Sequence, residues 1–564
     1  MHRFTARAIA LAIGVIASVP AVAPAQSVLG PGDDALVLPR GVFRVRVLDQ
    51  RTTFNERYGS GTPGRPEGAL EPLAIDFNLD TIGTEQFRNL GALQQGLRTL
   101  TGMPDFRLSL GRTVVTSSGN VIANPIVFEG GVTNKISVGL TIPIVHTRND
   151  IFFDVNPAGR EGNVGFNPAA QVAAAATQNA TLVQQYLNAA AALEGAVGGC
   201  GTITASNANA CTLVSTTRAL AGGIAGLYGT ASGANFLGSP FVPIAGTEAQ
   251  ATIEARLAAI KAQYPSSIGS TITVTAPFAA QNRLTVSDAQ RILTDPAFGV
   301  AGEPLQTVET TRLGDIEFGV KYLFLDSFRG DHNARYSAKG FNYRSAVTGF
   351  IRLGTGRQDR PENFVDIGTG NGQTDLELRS ATDVVWGTRL WNSFTVRLGM
   401  QLADRETVRI IDQPNKRLAA DWRQQEVDRD LGDYFEIENS PRFAINDWFQ
   451  VAGFYLYRHK YEDKYEGRFA IPDSVTGFTD PASPVAGHYV IDAQTLNLET
   501  EQTEHRLGGG LAFSTLAAFN KQQFKVPFEV TFLHWQTTRG SGGSQPKFFT
   551  NQIQLRLYTR LFGG

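Results

Sequence analysis

The amino-acid sequence predicts an all-β protein, a transmembrane antiparallel β-barrel of about 12 strands, within a range of about 10 to 14. Three observations lead to this prediction. The chain begins with an export signal, polar and apolar residues alternate over many segments, and short connections between these segments alternate with long ones. Past the export signal no run of about 18 apolar residues occurs, so membrane-spanning helices are not predicted.

The export signal has the three parts of a secretory signal peptide. Arg3 and Arg7 precede an apolar stretch from Ala8 to Val19, and Ala23-Pro24-Ala25 forms a small-x-small cleavage site. A retained membrane anchor is the alternative, but the apolar stretch is too short to cross a bilayer core of about 30 Å. We therefore expect residues 1–25 to be a signal peptide that is removed on export.

The charge and domain organisation of the mature chain are simple. The formal net charge is −2 at pH 7, and removal of a signal that contains two arginines and no acid makes it slightly more negative. Nucleic-acid binding needs concentrated lysine and arginine, so nucleic acid is not an expected partner. No linker divides residues 26–564, which predicts one outer-membrane barrel with a long loop insertion at 148–311.

The predicted strands have one apolar face and one polar face. In the last strand, Ile553, Leu555, Leu557 and Leu561 lie on one face, and Gln552, Gln554, Arg556 and Arg560 lie on the other. The same alternation runs through 134–147 and 313–325. A soluble β-sandwich or soluble barrel is the alternative, since its strands also have one apolar face. The export signal and the charged second face favour a membrane barrel, whose wide interior is polar.

Twelve segments are predicted as strands. They lie near residues 41–50, 121–133, 134–147, 312–325, 342–354, 374–386, 389–403, 431–444, 447–460, 501–514, 525–537 and 548–562. Tight turns are expected at 133–134, 387–388 and 446–447, and long loops at 51–120, 148–311, 355–373, 404–430 and 461–500. Short periplasmic turns and long outer loops are typical of bacterial barrels. An extra hairpin arm at 105–117 is an alternative that would raise the strand count.

The long insertion is poor in charge and rich in small residues. Helices are predicted at 169–194 and 251–264, and Ser287 with Gln290 resembles a helix-capping box. The glycine and alanine content leaves few large side chains for an independent core, so we expect the insertion to rest against the barrel as a lid or plug. A low-complexity surface loop is the alternative.

The chain has two cysteines, Cys200 and Cys211, which lie close together within the insertion. Because an exported chain meets an oxidising compartment, the spacing predicts a disulfide, with two free thiols as the alternative. Two cysteines without nearby histidine are too few for a structural zinc site. The sequence also lacks a nucleophile elbow, a zinc-protease helix and a phosphate-binding loop, so neither an enzyme nor a cofactor or metal is expected.

Charged residues on the polar faces of the strands are predicted to line the lumen. They are Lys135, Asp315, Glu317, Lys321, Arg352, Glu377, Arg379, Asp383, Arg397, Glu436, Glu438, Arg442, Arg506, Glu529, Arg556 and Arg560. A salt-bridged wall that fills the barrel is as consistent with these residues as a pore lining is. Because both signs of charge are present, strong selection for anions or cations is not predicted.

Several short motifs resemble the outer-membrane β-barrel proteins of the meta-pathway of phenol degradation family. They are Gly131-Val132-Thr133-Asn134-Lys135, Gly139-Leu140-Thr141-Ile142-Pro143, Gly314-Asp315-Ile316 with Gly319 and Lys321-Tyr322, Gly354-Thr355-Gly356, Gly368-Thr369-Gly370 and Asp375. The resemblance covers about a third of the chain and implies a barrel that admits aromatic or other hydrophobic compounds. The long insertion departs from the pattern of the family, and so does the terminus, Leu561-Phe562-Gly563-Gly564.

The leading functional hypothesis is a channel or transporter in the bacterial outer membrane for passive passage of small, hydrophobic or aromatic molecules. Its expected partners are outer-membrane lipid, the outer-membrane assembly machinery and a small-molecule solute. The alternative is a structural or surface-interaction barrel that is closed by its own side chains and loops.

Overall fold

The computed structural model describes residues 33–59, 61, 65–159, 161–230, 238–328, 339–543 and 545–560. The predicted signal peptide and the terminus after residue 560 lie outside the described residues, as does the side chain of Arg560.

A closed ring of twelve antiparallel strands forms the barrel. The strands are β1 (Val42–Phe54), β2 (Thr113–Gly131), β3 (Ile136–Val155), β4 (Ile316–Asp326), β5 (Phe341–Leu353), β6 (Asp375–Trp386), β7 (Leu390–Gln401), β8 (Tyr434–Ala444), β9 (Phe449–Lys460), β10 (Gln502–Ser514), β11 (Phe528–Gly542) and β12 (Phe549–Arg560). All twelve predicted strands are confirmed. Residues 113–117 belong to β2, so the alternative of an extra hairpin arm at 105–117 is wrong.

The ring closes because β1 pairs on both of its edges. On one edge Phe43 lies opposite Gly130 of β2, and on the other Val45 lies opposite Leu557 of β12. Every other strand pairs with its neighbour in sequence. Both ends of the described chain therefore lie at the end of the barrel that carries the short turns.

Further strands and helices lie outside the ring. The short strands are Glu56–Tyr58, Leu70–Pro72, Val164–Phe166, Phe241–Pro243, Val308–Leu313, Asp404–Arg409, Gln424–Asp430, Lys464–Glu466, Arg468–Pro472 and His488–Asp492. The longer helices are α1 (Gly91–Thr101), α2 (Ala173–Ala196), α3 (Ala208–Tyr228), α4 (Glu248–Gln263) and α5 (Val286–Thr294). Single helical turns occur at Ile75–Phe77, Arg88–Leu90, Pro168–Ala170, Ser266–Gly269, Pro296–Phe298, Asp421–Arg423, Asp473–Thr476, Ala493–Asn497 and Leu516–Asn520.

The outer face of the barrel is apolar. Phe128, Leu140 and Phe318 lie side by side on three neighbouring strands, and each is 36 to 47% exposed. Large aromatic side chains near the short turns, among them Phe341 and Trp386, are also exposed. An apolar band bordered by aromatic residues is what a membrane barrel presents to lipid. The predicted assignment of apolar faces to the outside is thus confirmed.

The loop insertion and residues 79–110 together form a helical lobe at the end opposite the short turns. Leu97 of α1, Ile224 of α3 and Ile253 of α4 are fully buried in its shared hydrophobic core. The expectation that the insertion has too few large side chains for a core is therefore wrong. Alanines such as Ala190 are buried between the helices, so small residues allow close packing and the segment 79–110 supplies further apolar side chains.

The helices of the insertion agree with the sequence in part. The predicted helices at 169–194 and 251–264 correspond to α2 and α4. The capping box of α5 is formed by Thr285 and Asp288 instead of Ser287 and Gln290. Among the described residues, none of the helices is long and apolar enough to span a membrane.

A second outer lobe is built mainly of short strands. Residues 402–433 and 461–501 contribute to it, and Ile410, Leu431 and Ile491 lie in its core. We call it the strand lobe. The two lobes and the connection between β5 and β6 lie at the outer mouth of the barrel.

Candidate functional site

The inner wall of the barrel is a continuous network of paired charges. Arg352 of β5 donates from Nε to Glu317 of β4 at 2.9 Å and from Nη1 to Asp375 of β6 at 2.8 Å. All three side chains are buried. Charges removed from water are costly unless they are paired and hydrogen-bonded, so Arg352 is stabilised by the carboxylates on the two adjacent strands.

The same arrangement continues around the wall. Arg397 of β7 donates to both Glu436 and Glu438 of β8. Arg379 donates a hydrogen bond to Glu377, its neighbour on the inner face of β6. The hydroxyl group of Tyr434 of β8 donates a hydrogen bond to Glu377 as well. These links join three adjacent strands through the interior.

Most of the predicted lumen residues lie in this network. The paired and buried side chains are Glu317, Arg352, Glu377, Arg379, Asp383, Arg397, Glu436, Glu438, Arg506 and Glu529. Lys321, Arg442 and Arg556 are paired and partly buried. Arg560 belongs to β12, but its side chain lies outside the described residues.

Two of the predicted residues lie elsewhere. Lys135 is exposed in the turn between β2 and β3 and is not part of the inner wall, because β3 begins one residue later at Ile136. Asp315 precedes β4 at the outer end of the wall. Its carboxylate accepts from the backbone N–H of Gly356 at 2.8 Å, so it holds a loop and is not paired with a cation of the wall.

The sequence interpretation missed several residues of the network. Arg44 and Arg46 of β1 both pair with Glu129 of β2, at 2.6 and 3.1 Å. Their alternation with Val45 and Val47 is the same period-two pattern, so it would have identified them. Further network residues that were not predicted are Arg344, Tyr434, Arg458 and Glu504.

The segment before β1 enters the lumen, and we call residues 33–40 the N-terminal plug. Ala35 and Val37 are fully buried against Leu323 and other small apolar side chains of the inner wall. Asp33 Oδ1 lies 3.1 Å from Lys321 Nζ, and Asp33 Oδ2 lies 3.0 Å from Arg379 Nη1. The plug therefore occupies the lumen from the end that carries the short turns.

The plug also follows the wall near the turn between β2 and β3. The backbone N–H of Leu38 donates to Ser137 Oγ of β3 at 2.8 Å, and that of Arg40 donates to the Asn134 side chain at 3.1 Å. Beside the plug, the lumen retains a cavity of about 30 Å³. Among the described residues, the plug thus fills part of the inner half of the lumen.

The outer mouth is closed by the connection between β5 and β6, residues 354–374, which we call the inner loop. Val365 and Ile367 are 2% exposed. Their carbonyl oxygens accept from two inward side chains of β3, Asn149 and Thr147, each at 2.9 Å. The inner loop thus folds across the mouth and is not a solvated outer loop.

Motifs that carry the family resemblance meet at the base of the inner loop. Thr355 Oγ1 donates to the carbonyl of Gly314 at 2.7 Å. A Cβ atom on Gly370 would lie 2.4 Å from Asp315 Oδ1, and one on Gly356 would lie 2.6 Å from Gly370 Cα. Glycine is required at both positions because the backbone and the Asp315 carboxylate approach so closely. The motifs therefore anchor the inner loop to the start of β4.

Two acids, one in the inner loop and one in the strand lobe, have a raised pKa. Burial and the nearby Asp366 raise the pKa of Asp359 to about 7, although the backbone N–H of Gly368 opposes the shift. Burial raises the pKa of Glu406 in the strand lobe to about 7 as well, despite its pairing with Arg429. Both acids line a cavity of about 130 Å³ between the inner loop and the strand lobe.

A much larger cleft lies in the helical lobe, and we call it the outer cleft. Its volume is about 1030 Å³, close to the upper end of the size range of small-molecule sites. Leu93 of α1, Leu220 of α3 and Phe298 are among its apolar lining residues, and Arg256 of α4 is the one charged residue in the part of the lining that the structure describes. The outer cleft can accommodate an apolar molecule.

The tip of the helical lobe carries the two cysteines. Cys200 and Cys211 form a disulfide that joins the end of α2 to the start of α3. Glu194 and Arg218, the charged residues between Asn163 and Thr247, pair with each other at 2.5 Å. The helices of the tip are thereby tied together covalently and by one ion pair.

No protein-family model matches the chain, and no curated protein matches its sequence. Solved structures that resemble it include an outer-membrane channel from Pseudomonas putida F1, with 8% identity, a TM-score of 0.38 and coverage of 94% of this chain and 99% of that chain. The translocator domain of the autotransporter NalP from Neisseria meningitidis has 5% identity, a TM-score of 0.26 and coverage of 92% and 89%.

A third similar structure is the Pseudomonas putida toluene transporter TodX, with 9% identity, a TM-score of 0.23 and coverage of 98% and 96%. At these identities and TM-scores the likenesses carry no weight for function. They include both a transporter and an autotransporter domain.

Proposed function

We propose that this chain is a gated channel in the bacterial outer membrane for small hydrophobic molecules, including aromatic compounds. The observation that carries the proposal is that two chain segments that are not strands of the barrel, the N-terminal plug and the inner loop, lie against the inner wall of the ring. Among the described residues, both segments are held to the wall by non-covalent contacts. Displacement of the two segments opens a path while the ring of strands stays intact.

The dimensions of the barrel support this proposal. Side chains just fill the interior of a barrel of about eight strands, whereas a ring of twelve strands encloses a wider space. Here the additional space is occupied by the plug residues Ala35 and Val37 and by the inner loop. When they leave, the charged wall becomes accessible to water.

The apolar lining of the outer cleft is an argument for a hydrophobic solute. A molecule from the medium reaches the cleft before it reaches the inner loop, because the helical lobe lies at the outer mouth. Apolar surface that is buried by such a molecule contributes about 25 cal/mol per Å² to binding. The preference for aromatic compounds, and membership of the meta-pathway of phenol degradation family itself, rest on the sequence motifs of the resemblance, three of which meet at the base of the inner loop.

The remaining expectations complete the proposal. The apolar belt contacts outer-membrane lipid, and the last strand is the segment that the outer-membrane assembly machinery would recognise. The chain acts as a passive channel and not as an enzyme, and it needs neither a cofactor nor nucleic acid.

Conductance across a planar lipid bilayer tests the channel. We expect the wild-type protein to open rarely, and a variant in which residues 33–40 are replaced by a Gly/Ser sequence of equal length to conduct more often. The matched control replaces residues 521–525, an exposed part of a turn at the same end of the barrel, in the same way. Equal conductance of all three proteins, with folded barrels, would contradict the proposal.

A second candidate is a structural or surface-interaction barrel with a permanently closed lumen. The pairing of charges on the wall favours it, since side chains such as Arg352 and Arg397 are buried and paired. This candidate predicts no conductance even when the N-terminal plug is replaced and the inner loop is shortened. The bilayer experiment therefore separates the two candidates.

A further inference from the structure

We infer that the outer cleft selects amphipathic carboxylates, molecules with an apolar body and one negative charge, over neutral hydrophobic molecules of the same shape. This inference rests on the proposed function in one respect, because it names the class of solute that the outer cleft takes. It begins from the single positive charge among the described residues that line the cleft.

The apolar part of the site lies between α1 and α3. Small residues open the space between these helices, since a Cβ atom added to Gly96 of α1 or Gly226 of α3 would meet nothing within 4 Å. Leu93, Leu220 and Ile292 provide apolar walls. This part of the outer cleft fits the body of an aromatic or aliphatic molecule.

The charged part of the site is Arg256 of α4. Its Nη1 atom donates to the backbone carbonyls of Thr99 and Leu100, at 2.9 and 2.5 Å, in the last turn of α1. A cation at the end of a helix with free carbonyls is stabilised there by the helix dipole. These bonds fix the guanidinium at the edge of the cleft.

Capping of α1 accounts for the hydrogen bonds of only one guanidinium nitrogen, Nη1. The Nε and Nη2 atoms of Arg256 make no hydrogen bond to the described residues, and no carboxylate of the described residues lies within 4.0 Å of the side chain. Arg256 is only partly buried, so these donors remain accessible. A guanidinium with two free donors on one edge matches the geometry of a carboxylate.

A carboxylate at this position would complete the site without unpaired charge. Its oxygens accept from Arg256, while its apolar body displaces water from the surfaces of α1 and α3. A neutral amide of equal size buries the same apolar area, but it offers the guanidinium one uncharged carbonyl oxygen, and its NH2 group cannot accept a second hydrogen bond. Hydrogen bonds between charged groups contribute about 1.5 to 3 kcal/mol, which corresponds to about 10- to 150-fold in affinity.

Calorimetric titration of the full-length mature protein in lipid nanodiscs tests the inference, with empty nanodiscs to correct for partition into lipid. The probes are 4-phenylbutyrate and its uncharged amide, 4-phenylbutanamide. We expect the wild-type protein to bind the acid at least about 10-fold more tightly than the amide. Equal affinity for the two probes would overturn the inference without the need for any variant.

Two variants divide the site into its parts. Arg256→Gln should remove the preference for the acid. Gly226→Leu should weaken the binding of both probes, because the leucine side chain would occupy the cleft. Gly222→Leu on the same helix is the matched control, since Gly222 does not line the cleft and also has open space around it. A preference that persists in Arg256→Gln would overturn the assignment of the arginine. If that variant does not fold, Arg256→Lys provides the test, and it should reduce the preference.

Failure of this inference is distinguishable from failure of the channel. Binding of the acid by a barrel that never conducts would contradict the channel and leave the carboxylate site intact. A conducting barrel that binds both probes equally would contradict the carboxylate site and leave the channel intact.

Discussion

Asp33 Oδ2 lies 3.0 Å from Nη1 of Arg379, so a residue that precedes the first strand is bound to the inner wall of β6. Lys321 of β4 contacts the other carboxylate oxygen at 3.1 Å. One aspartate thus links the N-terminal plug to two strands of the barrel. The pairing also places a negative charge beside two cations of the wall, so the plug contributes to the charge balance of the lumen.

Removal of the plug carboxylates should favour the open lumen. In the double variant Asp33→Asn, Asp34→Asn, Lys321 loses its ion pair with Asp33, whereas Arg379 keeps Glu377. We expect more frequent openings in a planar bilayer, with the stability of the barrel nearly unchanged. Asp49→Asn is the control, because Asp49 pairs with an exposed arginine on the same strand of the barrel. Identical opening frequencies in both variants would contradict a role of the aspartates in closure.

Gly370→Ala should loosen the inner loop. The added methyl group would lie 2.4 Å from Asp315 Oδ1, so the loop has to move away from β4. We expect faster cleavage within residues 354–374 by an added protease, and a higher conductance, because the inner loop folds across the mouth. Gly349→Ala is the control, since a Cβ atom there meets nothing within 4 Å. Unaltered cleavage would show that the close approach does not hold the loop.

The membrane placement predicts a large cost for charge on the outer face. Leu140→Arg should destabilise the folded barrel by about 2 to 4 kcal/mol, because arginine at the bilayer midplane lacks water. Thr133→Arg, in the exposed turn before β3, should change the free energy of unfolding little. Unfolding by urea in lipid bilayers measures both changes. Equal effects would show that Leu140 does not face lipid.

The raised pKa of Asp359 predicts that the inner loop loses protection as pH rises. Its folded-state pKa of about 7 lies above the ordinary value of 3.8, so the folded loop binds the proton more tightly than the unfolded loop does. Stability from this group is therefore greatest below about pH 4, falls between pH 4 and 7, and is lowest above pH 7. Glu406, with a pKa also raised to about 7, acts in the same direction.

Amide hydrogen exchange of residues 354–374 tests this pH dependence after correction for the intrinsic rate. We expect less protection at pH 8 than at pH 5. Asp359→Asn should reduce the difference, because the amide stays neutral and still accepts from the Gly368 N–H. The remaining charges around Asp359 are those of Asp366, Glu406 and Arg357. Protection that rises with pH would contradict the assigned direction.

The strands and their faces were predictable from the sequence because the underlying signal is local. A strand turns successive side chains to opposite sides, so the alternation of Ile553 and Leu555 with Gln552 and Gln554 identifies the strand and both of its faces. The apolar side then has to meet lipid if the interior is wide and polar. Lys135 shows the limit of this reasoning, since the alternation does not say where a strand ends.

The tertiary structure decided what depends on contacts between distant residues. Asp33 and Arg379 are 346 residues apart, and nothing in the sequence near Asp33 indicates its partner. The inner loop has no periodicity, yet Val365 and Ile367 are buried because side chains of β3 satisfy their carbonyls. Composition alone predicted a poorly packed insertion, but its alanines pack closely once the apolar residues of 79–110 lie against them. Local alternation therefore determined the wall of the barrel, whereas long-range pairing of charges and apolar surfaces determined what fills and covers it.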